Sequence, residues 1–192
     1  MQPENFSPQD SLRVIQSMID KAREGISDKS FYFLMWGWLT VIACLLQYYL
    51  LVVIKYEHHY LAWLLILIGI ITSIVYGIKE KKKEKVKTYV SESMSALWTA
   101  VGVSFGVLSF IMSKIGWQYG FPFYILLYGI GTLNSGSILK FKPLQAGGIA
   151  CFALAVVAAY LSYQNQILLT AAAILVSYLI PGYLLKYRFQ KK

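Results

Sequence analysis

Acidic residues are scarce in this chain of 192 residues: Asp and Glu together number nine, and the last of them is Glu92. Cysteine and histidine occur twice each. Charged residues make up 14% of the chain, against about a quarter in an ordinary soluble domain. Each shortage excludes something. The long apolar runs at 31–54, 60–78, 95–113, 121–138, 144–163 and 167–185 contain no Asp, Glu, Lys, Arg or His. Proton-coupled transport normally places an ionisable group at membrane depth, and these runs offer none. Hydrolysis and phosphoryl transfer need an acid, a base, an activated nucleophile or a metal, and here a few hydroxyls stand without a base. Walker, HExxH and GxSxG patterns are absent. The sequence therefore reads as non-enzymatic, with no cofactor. Cys44 and Cys151 fall inside apolar runs, where thiols act as small packing residues.

What the chain has in quantity is apolar surface, at 57% of residues, blocked into runs of spanning length. The fold class expected is all-α: an integral membrane bundle of six spanning helices over 31–192, preceded by an amphipathic interfacial helix within 1–30. Ser7 supplies the cap of that first helix, Pro8 its first position, and Asp10 suits its first turn. Leu12, Ile15, Met18, Ile19, Ala22 and Ile26 share one face, with Arg13, Asp20, Lys21 and Glu24 off it. The polar start is unlike a signal peptide.

Positive charge is distributed with a strong bias. The run Lys79, Lys81, Lys82, Lys83, Lys85 and Lys87 sits between the second and third spans, drawn out as a helical extension of the second. With Arg13, Lys21, Arg23, Lys29, Lys140, Lys142, Lys186, Arg188, Lys191 and Lys192, it falls on one side of the expected topology; Lys55 and Lys114 fall on the other. The positive-inside rule then places both termini in the cytoplasm of a bacterial inner membrane. The lysine run is a candidate patch for anionic lipid headgroups or an acidic protein partner. It lacks the aromatic interleaving and folded module of a nucleic-acid site, so no nucleic-acid partner is expected.

Inside the spans, Gln47 is expected to hydrogen-bond a neighbouring helix. On the third span, Ala96, Ala100 and Ser104 form one small-residue row and Gly102 and Gly106 another, both suited to close helix approach. The fourth span is the least apolar. Gly129, Thr132 and Gly136 share one face, and Gly131, Asn134 and Ser135 point roughly opposite, so this helix should be central. Pro181 frees the carbonyl of Ser177 and should kink the sixth span. Gln47, Gly131, Thr132, Asn134, Ser135, Ser177 and Pro181 are therefore the candidate intramembrane polar or packing site. They serve either tight packing or a solute pathway near the inner halves of the fourth and sixth helices. Glu57, His58 and His59 are three metal-ligand types in a row, but adjacent residues rarely converge on one ion. The segment from Gly136 to Lys142 resembles that from Gly182 to Arg188, which suits three hairpins in series.

The aromatic entry Phe33-Leu34-Met35-Trp36-Gly37-Trp38, approached from Met18-Ile19-Asp20-Lys21-Ala22, resembles small multi-pass bacterial inner-membrane proteins of uncharacterised function, over roughly the first 55 residues. The resemblance implies a location but no activity and no functional residues. The function expected is that of an accessory or regulatory membrane component, binding a cytoplasmic or membrane partner or forming a homo-oligomer. The alternative is a small-solute or ion transporter or channel.

Overall fold

The computed structural model describes residues 30–83 and 89–190. These residues are 92% helical and contain no strand. The expected helix within 1–30, and Lys85 and Lys87 of the lysine run, lie outside the described residues. Helix α1 runs Ser30–Val53 and ends in a π-helical turn, Tyr49–Val53. A 3-10 turn, His59–Leu64, leads into α2, Leu65–Lys83. Then come α3 (Tyr89–Ile115), a 3-10 turn at Trp117–Tyr119, α4 (Gly120–Ile138) and α5 (Lys142–Ala159). The last rod is built of α6 (Tyr163–Ile174), a π-helical turn Leu175–Leu179, and α7 (Ile180–Gln190).

Among the described residues, five segments are long and apolar enough to cross a membrane: Ser30–Val53, His59–Lys79, Tyr89–Ile115, Lys142–Ala159 and Tyr163–Tyr187. Helix α4 is not among them, because glycine, threonine, asparagine and serine crowd its second half. Packing compensates for this. α4 lies along almost all of α5 and also touches α3 and α6, and it buries Phe121, Ile125, Tyr128, Gly129, Gly131, Thr132, Ser135 and Gly136. α4 is thus among the helices most wrapped in protein, as its two-faced pattern requires. α2 and α3 are peripheral, with Ile68, Ile71, Ile74, Val103, Val107 and Phe110 exposed.

Several boundaries differ from the sequence expectation. The third helix begins six residues earlier than residue 95, at Tyr89, because nothing in Tyr89–Met94 breaks a helix and Met94 is buried. The turn between α5 and the last rod falls at 160–162, not at Gln164–Gln166. Gln166 folds back to donate from Nε2 to the Leu161 carbonyl at 3.0 Å, so these polar residues form the first turn of α6. The α4 helix closes through Lys140, whose φ of 50° allows the Phe141 N–H to bond the Gly136 carbonyl at 2.8 Å.

The close approaches involve glycines on α4 and α5. A methyl in place of a hydrogen would stand 2.6 Å from the Gln145 nitrogen at Gly136, 2.6 Å from the Ser177 carbonyl oxygen at Gly147, and 2.5 Å from the Leu133 nitrogen at Gly148. On α3 the small-residue rows meet no close helix among the described residues. Gly102 and Gly106 have no neighbour within 4 Å, and Ala96, Ala100 and Ser104 are exposed. α3 meets α4 instead through large side chains, Trp98 and Phe105.

Candidate functional site

The helices are joined by a repeated polar device. A hydroxyl bonds back to the carbonyl one turn earlier on its own helix, and its remaining lone pair accepts from a neighbour. Thr40 Oγ1 donates to the Trp36 carbonyl at 2.8 Å, so the 2.8 Å contact with Tyr128 must have the phenol donating. Ser109 donates to the Phe105 carbonyl and accepts from Tyr124 OH at 2.9 Å. Ser177 donates to the Ala173 carbonyl at 2.6 Å, with Cys151 Sγ 3.1 Å from its oxygen. Indole N–H groups supply further ties, Trp36 to Ser73, Trp38 to Tyr183 and Trp98 to Ser135, each at 3.1 Å. Each such bond is worth about 0.6 kcal/mol between helices in lipid, up to about 1.7.

Aromatic rings fill the space between these ties. Phe33 packs on Tyr178 at 4.9 Å between centroids, Tyr178 on Tyr128 at 5.8 Å, Tyr128 on Phe105 at 5.0 Å and Phe105 on Tyr124 at 5.6 Å. Phe121 continues the column from Tyr124 to Tyr163, which lies 6.0 Å from the His59 ring. The column therefore runs from the basic end of the bundle, where α2 reaches Lys83, to the opposite end.

The residues singled out by sequence do not gather at one place. Gly131 and Ser135 both meet Trp98, whose ring lies 2.9 Å from where a Gly131 side chain would begin. Ser177 and Pro181 belong to the last rod, where the π-helical turn takes up the donor that Pro181 lacks; Ile180 N–H bonds the Leu175 carbonyl five residues back. The Ser177 carbonyl faces Gly147 of α5. Asn134 is apart from all of these: it is exposed, and its Nδ2 donates to the Ile130 carbonyl of its own helix at 2.8 Å. It therefore lines nothing together with Thr132 or Ser135. The reason is angular. Asn134 is one residue from Ser135, about 100° around the helix, and the α3 contact is too narrow to include it.

Thr132 is fully buried, and its Oγ1 has no hydrogen-bond partner. An unpaired buried hydroxyl costs about 1–3 kcal/mol. Thr132→Val keeps the shape and removes the hydroxyl, so it should raise stability by about 1 kcal/mol, read as a later midpoint in SDS-induced unfolding. A loss of stability would show that the hydroxyl is satisfied in the folded protein.

At the end opposite Lys79, Gln47 is buried and forms a hub, as its expected role of bonding between helices requires. Trp63 Nε1 donates to its Oε1 at 2.7 Å, its Nε2 donates to Tyr163 OH at 3.0 Å, and its Nε2 lies 3.3 Å from His59 Nδ1. The hub ties α1 to the entry of α2 and to the start of α6. Beside it are two shallow depressions. One of about 400 Å³ is lined by His59, Tyr60, Gly116, Trp117, Gln118 and Tyr163, and one of about 370 Å³ by Leu51, Ser162, Tyr163 and Gln164. His58 turns away to Tyr60 OH at 3.0 Å, so the two histidines serve different partners. No cluster with metal-ligand geometry occurs among the described residues.

Of the lysine patch, Lys79 is exposed near the end of α2, and the helix continues through Lys81, Lys82 and Lys83, as a helical extension of the span. Cys44 and Cys151 are free thiols and buried. Sequence reading missed Thr40, Trp63, Trp98, Tyr128 and Tyr163 as polar partners. A signal existed for Tyr128 and Tyr178: a phenol in the middle of an apolar run, away from either interface, needs a hydrogen-bond partner or an aromatic one.

The fold and its hubs define an all-helical protein with several helices long and apolar enough for a membrane, joined by neutral polar ties. The chain matches no protein-family model, no curated protein and no solved structure.

Proposed function

We propose that this chain is a six-span bacterial inner-membrane protein with both termini cytoplasmic, serving as a non-enzymatic accessory component that binds a partner at its cytoplasmic face. The observation that carries the reading is the filled interior. Aromatic rings occupy the axis from Phe33 to His59, and the buried polar residues are neutral: Ser30, Thr40, Gln47, Thr132, Ser135, Gln166, Thr170 and Ser177. Distinctive chemistry is left to the basic end and to residues 1–30. α4 serves as the sixth span. Its 19 residues rise about 28 Å, close to the thickness of a bilayer core, and its neighbours shield its polar half. Lys79, Lys81, Lys82, Lys83, Lys85 and Lys87 would each gain about 1 kcal/mol beside anionic headgroups.

The alternative pathway through the inner halves of α4 and the last rod meets Trp98 over Gly131 and α5 backbone over Gly136. Asn134→Leu should therefore leave solute flux in liposomes unchanged.

Two measurements test the proposal. A reporter fused after Lys192 that is active only outside the cytoplasm should stay silent; strong activity would reverse the orientation. Deleting residues 1–27 should abolish co-purification of the partner in mild detergent while the bundle remains monodisperse. Undiminished retention would remove that segment from the binding surface.

A further inference from the structure

The hydrogen bonds around Gln47 have a polarity that can be read from one end. An indole N–H only donates, so Gln47 must turn its carbonyl oxygen to Trp63, at 2.7 Å, and its amide nitrogen to the other side. One amide hydrogen goes to Tyr163 OH at 3.0 Å and the other is directed at His59 Nδ1, 3.3 Å away. That second contact holds only when Nδ1 offers a lone pair, which fixes His59 as the neutral imidazole with its proton on Nε2.

We propose that Trp63, Gln47, His59 and Tyr163 form a proton-sensitive latch, which acidification opens by releasing the segment 54–60 from the bundle. Protonated His59 would set an N–H against the amide NH₂, donor against donor. Gln47 cannot answer by turning over, because its NH₂ would then face the Trp63 N–H. Trp63 is the element that makes the contact intolerant of the proton.

Among the described residues, the groups facing His59 offer imidazolium no counter-charge. Facing His59 are Gln47 from α1, Tyr163 from α6, Trp117 and Gln118 from the turn before α4, and Tyr60 from its own segment. None is a carboxylate. Lys55 and Glu57 lie in the same loop, exposed, and do not line the depression. His58 is exposed and bonded to Tyr60 OH, away from the Gln47 hub.

The sign follows from proton counting. The open state binds one proton more than the latched state, so the latch holds at high pH and is lost as pH falls through the imidazole range. Opening removes the His59 wall from the larger depression and uncovers Tyr163, which lines both. The latch acts at the end of the bundle opposite Lys79 and needs no partner.

Hydrogen exchange of the full chain in detergent micelles, read by mass spectrometry at about pH 8 and about pH 5, tests this, since the pair brackets ordinary imidazole titration. After correction for intrinsic rates, amides of residues 54–64 should exchange about tenfold faster at the lower pH, about the change in population per unit of pH below the titration. His59→Gln should remove the acid response, and His58→Gln should keep it. Trp63→Phe is the decisive variant: with the donor gone, Gln47 can turn its carbonyl to imidazolium, and the acid response should vanish although His59 still titrates. An unchanged rate in the wild-type chain would overturn the latch, and that measurement needs no variant to fold. A wild-type-sized response in Trp63→Phe or in His59→Gln would overturn it too, as would loss of the response in His58→Gln.

Discussion

Gly148→Ala should destabilise the bundle by about 3 kcal/mol or more, at or beyond the upper end of the usual overpacking range. The three atoms nearest the added methyl are the Leu133 nitrogen at 2.5 Å, its Cα at 2.7 Å and its Cβ at 2.7 Å. None is the tip of a flexible side chain, so α4 and α5 must separate as rods. Separation would also loosen the seams at Gly136 and at Gly129, where Cys151 and Phe152 are in contact distance. Gly102→Ala is the matched control. That glycine has open space around it, and the change should move stability by no more than about 0.5 kcal/mol. Both are read from SDS-induced unfolding in mixed micelles. Equal effects would refute the assignment of the tight seam to α4 and α5. A large loss at Gly102 alone would mean that α3 is covered by another protein surface.

Gln47→Leu should cost about 2–3 kcal/mol in the same assay. It leaves the Trp63 N–H, the Tyr163 hydroxyl and His59 Nδ1 without the partner that joins them. Three ties at about 0.6 kcal/mol each would give somewhat under 2 kcal/mol, and a half-buried indole N–H left unpaired adds to that. Asn134→Leu, the same change on an exposed face of α4, should be nearly neutral, because Asn134 bonds only its own helix. A neutral Gln47→Leu would show that the hub does not hold α1, α2 and α6 together.

The helices were legible in the sequence because long uncharged apolar runs leave the backbone few ways to satisfy its polar groups away from water. Backbone groups in lipid must be satisfied within the segment, so an uncharged apolar run of about twenty residues becomes a helix. The centrality of α4 could also be read, from small and polar residues on both faces, as could the packing role of Cys44 and Cys151. The α3 rows misled because a small-residue row permits close approach but does not require it; Trp98 and Phe105 hold α4 off from Gly102 and Gly106. Asn134 misled because its neighbours in sequence, not its own face, are the buried ones.

Sequence by itself thus determined the all-α class, the apolar helices and the neutrality of their interiors. Those properties are written in consecutive residues. Which helices touch was decided only by the tertiary structure. Gln47 meets Tyr163 across 116 positions, and Thr40 meets Tyr128 across 88. Every apolar helix presents a similar surface to lipid and to its neighbours. The choice among partners therefore rests on the fit of single glycines, rings and hydroxyls, brought into register by helices far apart in the chain.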